Sequence, residues 1–229
     1  MKILALDTST EFLSLALQVG DKSFSHYQNV GQTASQLILP RIQVLLDEAE
    51  IKLSDLDGIA FGAGPGSFTG VRIACGVAQG LGFGANLPVA GINTLMAAAE
   101  ASGKDRVIAC LDARMGEIYH AAYVKQNGAW HEVSATTVCK PEAAPALDGG
   151  DWVGVGSGWA AYGEVLSRIY AKNLSQILPD ITPTAEAILQ LGLPALAAGN
   201  AKPASEAAPI YIRNRVALTT RERELGQRL

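Results

Sequence analysis

The chain has 229 residues, 48% of them hydrophobic, and a mean hydropathy of +0.18, which is enough apolar material for one large core or two small ones and excludes disorder throughout. A net charge of −4 and a pI near 5.4 exclude a protein that holds nucleic acid mainly through its phosphates, because that mode needs a basic surface. Cys75, Cys110 and Cys139 are odd in number and form no C-x-x-C pair, so reduced core thiols are expected rather than a disulfide framework or a zinc ribbon.

The first element is an apolar strand, 3–6, cut off at Asp7. It is too short for a secretory h-region or a membrane span, and no later stretch supplies one, so a cytoplasmic protein without a membrane partner is expected. A turn at Thr8-Ser9-Thr10 leads to a second strand, 13–19, and Gly20-Asp21 to a third near 23–28. Thr33-Ala34-Ser35-Gln36 reads as a capping box opening a helix that runs to about residue 50. Ile38, Ile42, Leu45 and Ala49 fall on one buried stripe of that helix, Leu39 and Leu46 on a second with Gln43, and Pro40 is expected to kink it. Next come a strand at 58–61, a glycine loop, a helix at 69–83, a strand at 88–91 and an Ala-rich helix from Thr94.

The second half repeats the opening at an offset of 105: Ile3-Leu4-Ala5-Leu6-Asp7 matches Ile108-Ala109-Cys110-Leu111-Asp112. Strands are expected again at 118–124 and near 130–135, after a turn at Asn127-Gly128, then at 152–155, with helices at 159–171 and 184–191. Gly192 is placed to stop the last helix, and 194–209 reads as a loose linker before an extended 209–213. The fold class predicted is α/β: two like domains, 1–104 and 105–229, each opening with a three-strand meander in a mixed sheet flanked by helices. From Arg213 onward there are five Arg and two Glu, a net +3 that leaves −7 on the rest, so a basic tail follows an acidic body. Such a tail is either a solvated terminus or a contact for RNA or for a partner's acidic face.

Ten of the 24 glycines lie between Gly58 and Gly91, and the loop from Gly62 to Gly70 looks at first like a phosphate cradle. It has no Lys for a Walker A loop; G-x-G-x-x-G would need Gly where Ser67 or Thr69 stands; and Ser67 lacks the flanking glycines of a nucleophile elbow. A tight strand-to-helix turn remains, either structural or free to bind an anion or a partner's backbone. On the following helix Val71, Ala74, Val77, Ala78 and Leu81 can face the core, while Arg72, Cys75, Gly76, Gln79, Gly80 and Phe83 form a small, smooth face. Each helical glycine costs about 1 kcal/mol relative to Ala, so a packed helix, internal or from a second chain, is expected against that face. His26, His120 and His131 are scattered and no H-x-x-x-H occurs, so no metal is expected. Asp7 and Asp112 end equivalent strands; they read as turn-capping residues first and as a vestigial nucleotide site second, since the turns after them lack glycines.

The duplicated meander with Asp at each first strand's end resembles the actin, sugar-kinase and heat-shock-chaperone (ASKHA) superfamily. Within it the chain is similar to the TsaB (YeaZ) family over nearly its whole length. The stretch Gly64-Pro65-Gly66-Ser67-Phe68-Thr69-Gly70-Val71-Arg72-Ile73 carries most of the likeness, with support from 6–10, 112–117, 152–159 and 209–213. Thr33-Ala34-Ser35 departs from the His often found early in the family's first helix. The resemblance implies a non-catalytic scaffold with no cofactor that pairs with its homologue TsaD, with the ATPase TsaE joining, for transfer of threonylcarbamoyl to the tRNA adenosine beside the anticodon. TsaD carries an H-x-x-x-H metal pair where this chain has Thr94 and Ala98. Leu39, Gln43, Leu46, Arg72, Cys75, Gly76, Gln79 and Gly80 are the interface implied, shared with a homodimer when the chain is alone; tRNA is met indirectly or through the basic tail. The rival classes are an autonomous nucleotide-dependent kinase or ATPase using Asp7 and Asp112, and a metallopeptidase, against which Thr94 and Ala98 stand.

Overall fold

The computed structural model describes residues 1–213. The strands β1 (Lys2–Asp7), β2 (Phe12–Val19) and β3 (Lys22–Asn29) form an antiparallel meander, followed by α1 (Ala34–Glu48), β4 (Gly58–Gly64), α2 (Phe68–Ala85), β5 (Val89–Asn93) and α3 (Thr94–Ala101). The second half repeats the plan with β6 (Arg106–Arg114), β7 (Glu117–Gln126), β8 (Ala129–Cys139), β9 (Trp152–Val155), α4 (Ser157–Ile169), β10 (Leu174–Leu178) and α5 (Ala185–Ala197). The two five-stranded sheets have equivalent orders, β3-β2-β1-β4-β5 and β8-β7-β6-β9-β10, with β1–β4, β4–β5, β6–β9 and β9–β10 parallel. The internal repeat is therefore structural: two similar α/β units, each a mixed sheet flanked by helices.

Alternation along the strands sorts side chains to two faces of each sheet. In the first sheet Leu4, Leu6, Leu13, Leu15 and Leu17 pack under α1 and α2, while Ile3, Ala5, Ala16 and Ala60 pack on the other side under α5. In the second sheet Val107, Ala109, Leu111 and Tyr123 meet Leu95, Ala98 and Ala99 of α3, and Ile108 and Cys110 meet Trp159 and Leu166 of α4. Helix α3 also sends Ala97 into the core beneath α5, so it is wedged between the two sheets. Although it follows the second sheet in sequence, α5 packs on β1, β2, β4 and β5 of the first, and the backbone N–H of Ala185 donates to the Ser14 hydroxyl at 2.8 Å.

Several local expectations are corrected. Thr33 does not form a capping box: its backbone is not extended (φ −94, ψ 5), no side-chain cap bond forms, and its hydroxyl turns back to donate to the Val30 carbonyl. Helix α1 runs on through Pro40, which is exposed, so water can take over the Gln36 carbonyl that the proline leaves unbonded. Gly192 does not stop α5; it is buried inside it, where an added Cβ would lie 2.7 Å from that of Ala60. The glycine permits helix–sheet approach, and the helix continues through Pro194 to Ala197. The edge strand β10 has no counterpart among the expected elements.

Candidate functional site

The glycine loop is filled by the chain itself. The Thr8 hydroxyl donates to the Gly70 carbonyl at 2.6 Å, the Ser67 N–H to the Ser9 carbonyl at 2.8 Å, and the Thr94 hydroxyl to the Pro65 carbonyl. A Cβ on Gly66 would sit 2.6 Å from the Ser9 carbonyl oxygen and one on Gly70 1.8 Å from that of Thr8. These glycines are thus needed so that the β1–β2 turn can press into the loop. The Gly70 N–H is taken by the Ser67 hydroxyl, the N-cap of α2. Two N–H donors that a phosphate could use, those of Ser67 and Gly70, are spent on internal bonds.

Asp7 lies beneath this plug with no solvent-exposed surface. Its Oδ2 accepts from the Ser9 N–H and hydroxyl at 3.0 and 2.8 Å, while Oδ1 abuts Gly62 and has no hydrogen-bond partner among the described residues. Burial outweighs the Ser9 bonds and pushes the carboxyl up to about 6. Asp112 is differently placed: Oδ1 accepts from the Arg114 N–H at 2.8 Å, Oδ2 faces the Arg114 guanidinium at 3.0 Å, and its own N–H donates to the Ser157 hydroxyl. The two aspartates share no hydrogen-bonding partner in the structure.

Thr94 and Ala98 are both fully buried on α3, Thr94 bonded to the loop and Ala98 in the apolar core. Among the described residues no group of three or more His, Cys, Asp or Glu is placed to hold a metal. His26, His120 and His131 lie on β3, β7 and β8. No helix among the described residues is long and apolar enough to cross a membrane.

The outward feature is the paired face of α1 and α2. Leu39 is 51% exposed, and Gln43 beside it donates to Asp47 at 2.7 Å. Arg72, Gly76, Gln79 and Gly80 are exposed, and among the described residues a Cβ on Gly76, Gly80 or Gly84 would meet nothing within 4 Å. Their absence of side chains serves no internal packing. Two of the expected face residues are not there: Leu46 and Cys75 are 3% and 6% exposed and belong to the core under these helices. Phe68 and Phe83, 57% and 79% exposed, bracket the glycine stripe. The Arg72 guanidinium lies 3.3 Å from the Phe68 ring centroid and 4.9 Å from that of Tyr211, on the extended segment whose Ile210 N–H donates to the Ala63 carbonyl. Gly84 was open to sequence reasoning, since it continues the four-residue spacing of Gly76 and Gly80. Tyr211 was not, because its approach to Arg72 spans most of the chain. Arg213, the last described residue, donates to Glu117 and to the Ala113 carbonyl; the basic tail after it lies outside the described residues.

Fold and site together define a class: a duplicated α/β protein whose glycine loop is braced by the β1–β2 turn, whose first-strand carboxylate is buried and whose distinctive exposed feature is a smooth helix face. The chain matches over residues 28–220 the family model described as TsaD, tRNA N6-adenosine threonylcarbamoyltransferase. It is 40% identical to the tRNA threonylcarbamoyladenosine biosynthesis protein TsaB of Escherichia coli, covering 95% of this chain and 96% of that one. Identity to the Haemophilus influenzae protein of the same name is also 40%, covering 94% and 95%. Among solved structures it resembles YeaZ from Pseudomonas aeruginosa, with a TM-score of 0.81 and 39% identity over 92% of this chain and 99% of that one. A second Pseudomonas aeruginosa structure, described as an uncharacterized protein with similarity to peptidase YEAZ, gives a TM-score of 0.86 at 40% identity over 93% and 99%. The chain belongs to this TsaD-related family and, within it, to the TsaB (YeaZ) family.

Proposed function

We propose that this chain is a non-catalytic subunit that binds and activates TsaD, with TsaE, for transfer of threonylcarbamoyl to N6 of the tRNA adenosine beside the anticodon. The observation that carries the reading is the stripe Gly76, Gly80 and Gly84. Three exposed glycines weaken α2 by about 1 kcal/mol each, with no contact among the described residues in return, which is understandable where another chain's backbone comes close. In this reading the docking surface is Leu39, Gln43, Arg72, Gly76, Gln79 and Gly80, flanked by Phe68 and Phe83, with Leu46 and Cys75 backing it from within. The same face pairs two copies when TsaD is absent. TsaE joins the heterodimer, and tRNA is met through the assembly or through the tail beyond Arg213. The two units are actin-like, divided at 104/105, with α5 lent to the first, and the protein works in the cytoplasm.

Thr94 and Ala98 in place of a metal-binding His pair support an activator rather than a transferase or a metallopeptidase. The kinase reading needs Asp7 open to Mg-nucleotide, whereas its carboxyl is sealed under Ser9 and Gly62. The test is threonylcarbamoyladenosine formation from purified TsaD, TsaE, tRNA and the adenylate donor, with and without this chain. Product that depends on the chain, and vanishes when TsaD alone is omitted, is expected. Full activity without it would overturn the proposal.

A further inference from the structure

At its N-terminal end the exposed face of α2 runs on into two other parts of the chain. The Arg72 guanidinium lies against the rings of both Phe68 and Tyr211, and among the described residues it donates only to the Phe68 carbonyl. Tyr211 belongs to the segment 209–213, which the Ile210 N–H fastens to the first unit at the Ala63 carbonyl. Two residues on, Arg213 fastens the same segment to the second unit: its guanidinium donates to the Ala113 carbonyl at 3.0 Å, to Glu117 at 2.6 Å and to the Met115 sulfur at 3.2 Å. Phe68, Tyr211 and Met115, far apart in sequence, thus lie along one run of contacts, and each is more than half exposed. Met115 is also at odds with its turn. It and Gly116 form a two-residue hairpin loop with φ of 58 and 75, a geometry that favours asparagine followed by glycine, so the hairpin itself does not call for a large thioether there.

We propose that the TsaD chain docked on α2 continues across Tyr211 and onto Met115, so that it is held by both units and not by the helix pair alone. The inference rests on the pairing proposed above and sets its extent. A stable interface takes about 20–30 residues from each partner, and the few side chains on α1 and α2, interrupted by glycines, do not supply that many. At its Phe68 end the face is continued without a break by large apolar side chains that are left exposed. Arginine and tyrosine in contact at that junction are among the residue types that dominate binding energy at interfaces. The surface is apolar with one exposed guanidinium, which fits a partner strip of apolar side chains bearing a carboxylate or carbonyl opposite Arg72.

The test is alkylation by iodoacetamide of the full chain carrying Met115→Cys or Tyr211→Cys, alone and with purified TsaD. The introduced thiol is followed by peptide mass spectrometry, because the chain has three cysteines of its own. With TsaD at about ten times its Kd only about a tenth of the chain is unpaired, so both thiols should react about tenfold more slowly. Val133→Cys, on the edge strand β8, should keep its rate. Adding Gly76→Leu, which blocks docking on α2, should remove the protection. Tyr211→Ala should weaken pairing about tenfold or more without changing the thermal unfolding of the isolated chain. Pairing seen by sedimentation while both thiols react at full rate would overturn this inference and leave the docking on α2 standing. Equal protection of Val133→Cys, or protection by a second copy of this chain and not by TsaD, would also overturn it. No pairing with TsaD in any background would remove the inference and the reading beneath it together.

Discussion

Asp7 and His120 are buried ionisable groups that make opposite demands on pH. Asp7 is pushed up to about 6, so the folded chain holds its proton more tightly than the unfolded chain does. Its contribution is complete below about pH 4 and is lost as pH rises through 6, a swing of about 3 kcal/mol. His120 is pushed down to about 4 by burial; its Nε2 lies 2.9 Å from the Tyr170 hydroxyl, which itself donates to the Pro145 carbonyl, so the imidazole is neutral and donates through Nε2. Its contribution is complete above about pH 6.5 and is lost as pH falls through 4, a swing of similar size. Over pH 4 to 6 the two slopes oppose each other. Asp7→Asn is therefore expected to gain on wild type by roughly 3 kcal/mol between pH 4 and pH 7, read from urea unfolding. A difference that does not change with pH would show that Asp7 keeps an ordinary carboxylate range.

The open glycines of α2 set folding stability against association. Replacing Gly76 and Gly80 together by Ala should raise monomer stability by about 1–2 kcal/mol, since neither Cβ meets an atom, while weakening pairing with TsaD or with a second copy. Gly76→Leu should abolish pairing and leave a folded monomer. Sedimentation with thermal unfolding checks both, and normal pairing by the leucine variant would move the interface elsewhere. Much of this face was legible in the sequence because helical period and glycine spacing are local signals. Leu46 and Cys75 were misassigned because a period gives the direction of a buried stripe and not its width: α1 contacts β2, β3 and α2, so Leu45 and Leu46 are both covered. Thr33 misled because a capping motif needs an extended backbone that its φ and ψ do not provide. β10 was hidden because, as a partly exposed edge strand, it lacks a continuous apolar run.

At the scale of the molecule, the repeat was readable from Leu6-Asp7 and Leu111-Asp112, but the crossing of α5 was not, since nothing local in residues 185–197 names the sheet they cover. That crossing makes the first unit incomplete by itself: Ile3, Ala5, Ala16, Ala60 and Ala90 lose their cover when Ile188, Leu189 and Leu196 are absent. A chain of residues 1–104 should accordingly bind a hydrophobic dye and unfold without a sharp transition, whereas the full chain unfolds cooperatively. A sharp transition in the fragment would show that α5 is dispensable to the first core.

The same crossing has a consequence for birth on the ribosome. The first sheet is synthesised early, yet the helix that closes its second face comes roughly 100 residues later, an interval of about 5–20 s at ordinary translation rates. During that time a nascent apolar surface stands open, and the two halves cannot mature one after the other like beads on a string. The last helix made is the latch for the first sheet made, so a chain whose translation stalls before residue 185 leaves the ribosome as a client for chaperones rather than as half of a finished protein.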